Sequence, residues 1–277
     1  MRQLVVVAVL FAMALGMVSG CGSSSDEGQT PDAAEMVHSG SWYARAPWPH
    51  DGMPVESGTF VVYSDAASET ARREVAEVAD DVWAELLEEF SIEADMLRYP
   101  EDQDKLHVYA YRTHDPQNWG ARAYYGGLIV WSPDHPGRHD EDVRLAPVLK
   151  HELVHVLQFL IDGGPSPNTV EVWFIEGLPE AMSGGTTGGA IRGLDQLDGL
   201  TADYGRISPI SVKRYSQITT PDAGENFNYP MFQLAVEYLM DDEGYGRSPV
   251  DARDVLIDVA EGTSFATAFE DRMGISL

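Results

Sequence analysis

Residues 151–155 read His151-Glu152-Leu153-Val154-His155. Two histidines four apart on a helix project from one face, about one turn apart. That is the separation at which two imidazoles can share one tetrahedral zinc ion. Glu152, one step round from His151, stands where a carboxylate can take a proton from a water that the ion activates. Two imidazoles do not complete such a centre. Zinc in a hydrolytic site takes a third protein ligand and keeps its fourth position for water.

The helix that must carry the motif is readable around it. Pro147 suits a first turn. Leu149, Leu153, Val156, Leu157 and Leu160 recur at helical spacing and form an apolar face. Packing that face into a core would aim the polar face at a cleft. Asp162-Gly163-Gly164-Pro165 ends the element.

Upstream, Thr59-Phe60-Val61-Val62-Tyr63 is β-branched and aromatic and is expected to be a strand. Ser68 is an expected N-cap for a helix over Glu69–Phe90. Its apolar positions Ala71, Val75, Val78, Val82, Leu86 and Phe90 share one side. Leu106, Val108 and Ala110 alternate with His107, Tyr109 and Tyr111, which predicts a second strand. Ala123 to Trp131 predicts a third, with Gly126-Gly127 marking a bulge or a close backbone approach. Downstream, helices are expected from near Glu176, from about Tyr229 to Met240, and from about Val250 to Arg272. The fold class is therefore α+β: a small sheet and the motif helix over 58–165, then a mostly helical lobe over 166–277, with a cleft between the two.

The first twenty residues have one early cation, Arg2, an apolar run from Leu4 to Val18, and small residues after it. That is the layout of a secretory signal peptide. Val18-Ser19-Gly20-Cys21 resembles a bacterial lipobox, whose cysteine becomes the lipidated N-terminus. Cys21 is the only cysteine in the 277 residues, so a disulfide framework and a multi-cysteine metal site are both excluded. Residues 21–57, rich in Gly, Ser, Asp and Pro, are expected to be a flexible tether. No later segment is apolar enough to cross a bilayer.

The net charge is -27, from 18 Lys+Arg against 45 Asp+Glu. Removing residues 1–20 takes away Arg2 and no acid, leaving 17 against 45, a net of -28. Such a balance excludes a nucleic-acid partner, which needs cations to displace the counterions of phosphate. It also argues against electrostatic attachment to anionic lipid. His135 and His139 are again four apart, but a loop containing Pro136 and Gly137 gives them no common face, so no second metal site is expected. His38, His50, His107 and His114 have no partners in sequence.

The third ligand brings in a resemblance. The metzincin continuation of the motif is absent, because Gln158 and Ile161 stand where a glycine and a histidine would be needed. Farther on, Val172-Trp173-Phe174-Ile175-Glu176-Gly177-Leu178-Pro179-Glu180-Ala181 resembles the gluzincins, zinc metallopeptidases of the peptidase MA-like superfamily that include thermolysin-like proteases. In those families a Trp-x-x-Glu-Gly segment follows the first motif by about twenty residues, and here twenty residues separate His155 from Glu176. The resemblance implies a zincin-like fold, with His151, His155 and Glu176 as zinc ligands and Glu152 as general base. It also implies Glu180 as the carboxylate that receives the other ring N–H of His151. Glu171 is a rival third ligand. Pro179 departs from the usual alanine and is tolerable if the helix starts near Glu176.

The same resemblance points to Tyr229 as donor to the oxyanion, ahead of Tyr204 and Tyr215, and to the Gly126–Trp131 strand as an edge that pairs with substrate backbone. The Gly-x-Met-Glu-Asn segment of aminopeptidase relatives is missing, which favours endopeptidase action or a specificity of another kind. The resulting expectation is an extracytoplasmic, lipid-anchored zinc peptidase in the cell envelope, acting on a peptide or protein. Its alternative is a catalytically inactive metal- or peptide-binding surface lipoprotein.

Overall fold

The computed structural model describes residues 53–101, 103–113, 121–136, 145–163, 169–185 and 225–277, the last from residue 228 for side chains. Cys21, the tether up to residue 52, His38, His50, His114, His139, Tyr204 and Tyr215 lie outside the described residues. Within them the chain is α+β, with five strands in one sheet and six α-helices.

The strands are β1 (Val55–Glu56), β2 (Phe60–Tyr63), β3 (Leu106–Tyr111), β4 (Arg122–Tyr124) and β5 (Gly127–Trp131), in the spatial order β1-β2-β3-β5-β4. The three central strands are parallel, with Val62 opposite Val108 and Val108 opposite Leu128. The outer pairs are antiparallel. A parallel neighbour demands a crossover, and α1 (Glu69–Glu89) lies in the one between β2 and β3. Ser68 caps it, its hydroxyl accepting from Ala71 N–H at 3.1 Å. Ala71, Val75, Val82, Leu86 and Phe90 of the expected face are buried, and Val78 is partly buried against the same core.

The segment expected as one strand over 123–131 is a hairpin. Tyr124 pairs with Gly127, which leaves Tyr125-Gly126 as a two-residue turn. Gly126 has φ of +85°, and a Cβ there would collide with Pro100 and Gln103. The glycine pair thus marks a chain reversal, and β5 becomes an inner strand between β3 and β4. The edge next to the motif helix is β4, not the Gly126–Trp131 strand.

The remaining helices are α2 (Leu145–Asp162), α3 (Val172–Ser183), α4 (Glu225–Met240), α5 (Pro249–Ala260) and α6 (Phe265–Met273). Helix α2 packs against α1, α3, α5, β4 and β5. It is therefore buried round most of its circumference, and His151, Glu152, His155 and Gln158 on its polar side are buried as well. Two helices replace the single one expected over 250–272. Gly262, at φ of +100°, breaks the chain between them, and Ser264 caps the second by accepting from Thr267 N–H.

Helix α3 starts at Val172, four residues before the expected Glu176, so Pro179 lies inside it. Its N-terminal end is anchored by edge-on rings. The Trp173 centroid lies 5.6 Å from that of Phe269 and 6.3 Å from that of Phe265. Helix α4 covers its other side. One buried cluster runs from Phe60 to Met273, crossing the 165/166 boundary. No helix among the described residues is long and apolar enough to cross a membrane.

Helices α3 and α4 approach closely at Gly177. A Cβ there would stand 2.6 Å from the Phe232 carbonyl oxygen and 2.9 Å from Val236 Cγ2. Backbone cannot swing aside as a side-chain tip can. Gly177→Ala is expected to destabilise the fold by about 1–3 kcal/mol, the usual cost of overpacking, measured as a lowered denaturant midpoint. The same change in an exposed helix would stabilise by about 1 kcal/mol, so the sign of the shift is itself the check.

Candidate metal centre

Helix α2 puts the His151 and His155 rings 5.0 Å apart between centroids, at 72° to each other. Helix α3 crosses beside them and delivers Glu176, whose Oε2 lies 3.3 Å from His155 Nε2. One donor atom from each of His151, His155 and Glu176 falls within 4.8 Å of the other two. Bonds of about 2.05 Å in a tetrahedron put neighbouring ligand atoms roughly 3.3 Å apart. The His155–Glu176 pair has that spacing, and the trio could hold a metal ion.

Two of the remaining ring contacts orient the histidines. His151 Nδ1 is 3.5 Å from Glu180 Oε1, and His155 Nδ1 is 2.9 Å from Gln158 Oε1. A ligating imidazole needs such a partner on its far nitrogen. Glu180 was legible as a residue one turn beyond Glu176. Gln158 was read only as the residue that breaks the metzincin pattern. The signal for it was its position three residues after His155, on the same helix face.

His151, Glu152, His155, Glu176 and Glu180 are each less than a tenth exposed. Buried charges persist when they are paired or bound to metal. Here three carboxyl groups enclose two imidazoles, a set whose natural complement is a divalent cation. The fields on the individual groups are strong. Burial raises Glu152 to about 7, with Glu176 adding to the rise. Against this act His155, a hydrogen bond from Ala123 N–H of β4, and the charge of Arg122. Burial and the neighbouring His155 hold His151 well below the ordinary histidine value, with Glu176 acting the other way. Burial pushes His155 down as well, but Glu176, Glu152 and Gln158 together outweigh it and hold the ring well above its ordinary value.

Glu171, the rival ligand, lies at the N-cap of α3, and its carboxylate accepts from the Trp173 indole at 2.9 Å. It does not belong to the donor trio. Tyr229 lies inside α4 rather than before it, half-buried, its ring centroid 6.1 Å from that of Phe232. His135 packs edge-on against Tyr111, and His107 against Tyr63 and Gln103. No family model matches the chain, and no curated protein matches it.

A divalent ion at about 100 times its dissociation constant is expected to stabilise the folded chain by about 2.7 kcal/mol. Chemical denaturation with and without a chelator measures this increment. His155→Ala and Glu176→Ala are each expected to abolish it, whereas Glu171→Ala should leave it intact.

Proposed function

We propose that this protein is a zinc-dependent peptidase of gluzincin type with a zincin-like fold, held to a membrane outside the cytoplasm by a lipid on Cys21. The observation that carries the reading is the convergence of His151, His155 and Glu176 donor atoms beside the carboxylate of Glu152. Two imidazoles and one carboxylate are the donor set of a hydrolytic zinc centre, and the motif's second residue is adjacent to it.

Zinc held there supplies Lewis-acid chemistry, acidifying a water and polarising a carbonyl. Glu152 takes the proton of the attacking water and hands it to the leaving amine. The Ala123 N–H and the charge of Arg122 hold the Glu152 carboxylate towards β4. Glu180 and Gln158 engage Nδ1 of the two rings, so that Nε2 of each is the nitrogen that would hold the ion. The outer edge of β4 is the proposed rail for an extended peptide, since main-chain pairing selects backbone shape over side-chain identity. Tyr229 is the proposed donor to the oxygen that gains charge during attack.

Glu152→Gln is expected to retain bound metal and to lose hydrolysis by roughly 10²–10⁴-fold, the usual contribution of a general base. His151→Ala should lose both. A chelator-sensitive cleavage assay over a peptide library, with products mapped and metal content measured in parallel, reads both outcomes. Undiminished cleavage by the Gln variant would overturn the role of Glu152. Metal bound by the native chain, with no peptide cleaved across the library, would leave a metal- or peptide-binding lipoprotein instead of an enzyme.

A further inference from the structure

Gln158 is buried on α2 and makes two bonds at once. Its Oε1 stands 2.9 Å from His155 Nδ1, and its Nε2 donates to the Ile175 carbonyl at 3.1 Å. Ile175 is on α3, one residue before Glu176. It is also four residues before Pro179, and a helix would normally satisfy its carbonyl with the N–H of residue 179. Proline has no N–H. The carbonyl opened by Pro179 is therefore turned to the neighbouring helix, and Gln158 meets it.

These two bonds fix the proton on His155 by elimination. A carbonyl only accepts, so the NH₂ end of the Gln158 amide must face Ile175. The amide oxygen then faces Nδ1, which must carry the hydrogen. When a metal ion takes the place of a proton on Nε2, the nitrogen that lies 3.3 Å from Glu176 Oε2, the Nδ1–H is the one hydrogen left on the ring and the Nε2 lone pair serves the ion. A carboxylate at position 158 could accept from Nδ1 but could not donate to Ile175. It would also add a fourth buried acid to Glu152, Glu176 and Glu180. Glutamine does both jobs without a charge.

We infer that Gln158 is a positioning residue of the metal centre: through the carbonyl that Pro179 leaves open, it ties the helix bearing Glu176 to the ring of His155 and holds that ring as the Nδ1–H tautomer with Nε2 towards the ion. This rests on the metal-centre reading above and extends it, since the two histidines are held by unlike partners, an acid for His151 and a neutral amide for His155.

The test uses the full chain and two variants, Gln158→Met, which removes both bonds at similar volume, and Gln158→Glu, which keeps an acceptor at Nδ1. Metal dissociation constants come from competition with a chromophoric chelator. The visible spectrum of the cobalt-loaded protein reports ligand geometry, and the ring nitrogen and Nδ1–H signals of His155 in the zinc-loaded protein report the tautomer. Gln158→Met is expected to weaken metal binding roughly 10–100-fold, the usual loss for such a partner. The cobalt spectrum should change and the protected Nδ1–H signal disappear, while the metal-free unfolding midpoint falls only by what the lost bond to the Ile175 carbonyl costs, and to a similar extent in Gln158→Glu, which also lacks that bond. Gln158→Glu is expected to recover the Nδ1–H signal and much of the spectrum. Parental affinity and spectrum in Gln158→Met would overturn the assignment. So would a loss of affinity matched by a loss of metal-free stability and not relieved by Gln158→Glu. If the native chain itself takes up neither zinc nor cobalt, the metal-centre reading fails first, which separates that failure from a failure of Gln158 alone.

Discussion

The crossing of α2 over α3 buries five ionisable side chains together, and the rest of the fold answers to that. His151, Glu152 and His155 come from one helix, Glu176 and Glu180 from the other. Neither helix could expose this set and still keep its apolar residues in the core. The sheet and α1 back α2, while α4 and the Trp173–Phe265–Phe269 rings back α3. A shift of either helix by one turn would part Glu176 from His155 and Glu180 from His151. The close approach at Gly177 guards against such a shift on the α4 side, because the Phe232 backbone leaves no room for a Cβ.

Pro179 illustrates how a local defect becomes a link. Inside a helix a proline removes one hydrogen bond and crowds the carbonyl four residues back. In an isolated helix this would cost about 3 kcal/mol relative to alanine. In α3 the opened carbonyl of Ile175 is met by Gln158, so part of that cost is offset by a bond between helices. The compensation is available because α2 lies within reach, and it works only at this position, one residue before Glu176. Helix breaker, cross-helix bond and histidine orientation are thus a single arrangement.

What the sequence made legible was local. The spacing of His151 and His155, the cap at Ser68, the face of α1 and the alternation in β3 each follow from a period of 3.6 or 2. The α+β class follows from their order. The errors share a cause: single residues whose effect depends on a partner far along the chain. Pro179 argued for a late start to α3, because Gln158 is 21 residues upstream and invisible as its remedy. Tyr125-Gly126 is not one of the common two-residue hairpin pairs, so two strands ran together as one. Gly262 was a lone glycine in a helical pattern, and only the cap at Ser264 shows that a new helix begins. At the site, Glu176 was reached through family resemblance and not through periodicity, since no local rule connects residues 155 and 176.

Glu152 shows how far such long-range terms set chemistry. Its place beside His151 is a matter of helical geometry. Its affinity for a proton is not. Burial and Glu176 favour the neutral carboxyl, while His155, the Ala123 N–H and Arg122 favour the anion. Two of the three opposing groups belong to β4, the edge strand that the hairpin creates. Had residues 123–131 been one continuous strand, that edge would lie elsewhere, and Glu152 would lose both its backbone donor and its nearby cation. A two-residue turn at Tyr125-Gly126 therefore helps to set the strength of a base some 26 residues away in sequence, by bringing a strand of the right polarity against the motif helix. The proposed substrate rail and the proposed base are coupled for the same reason, because one short strand presents its backbone to both.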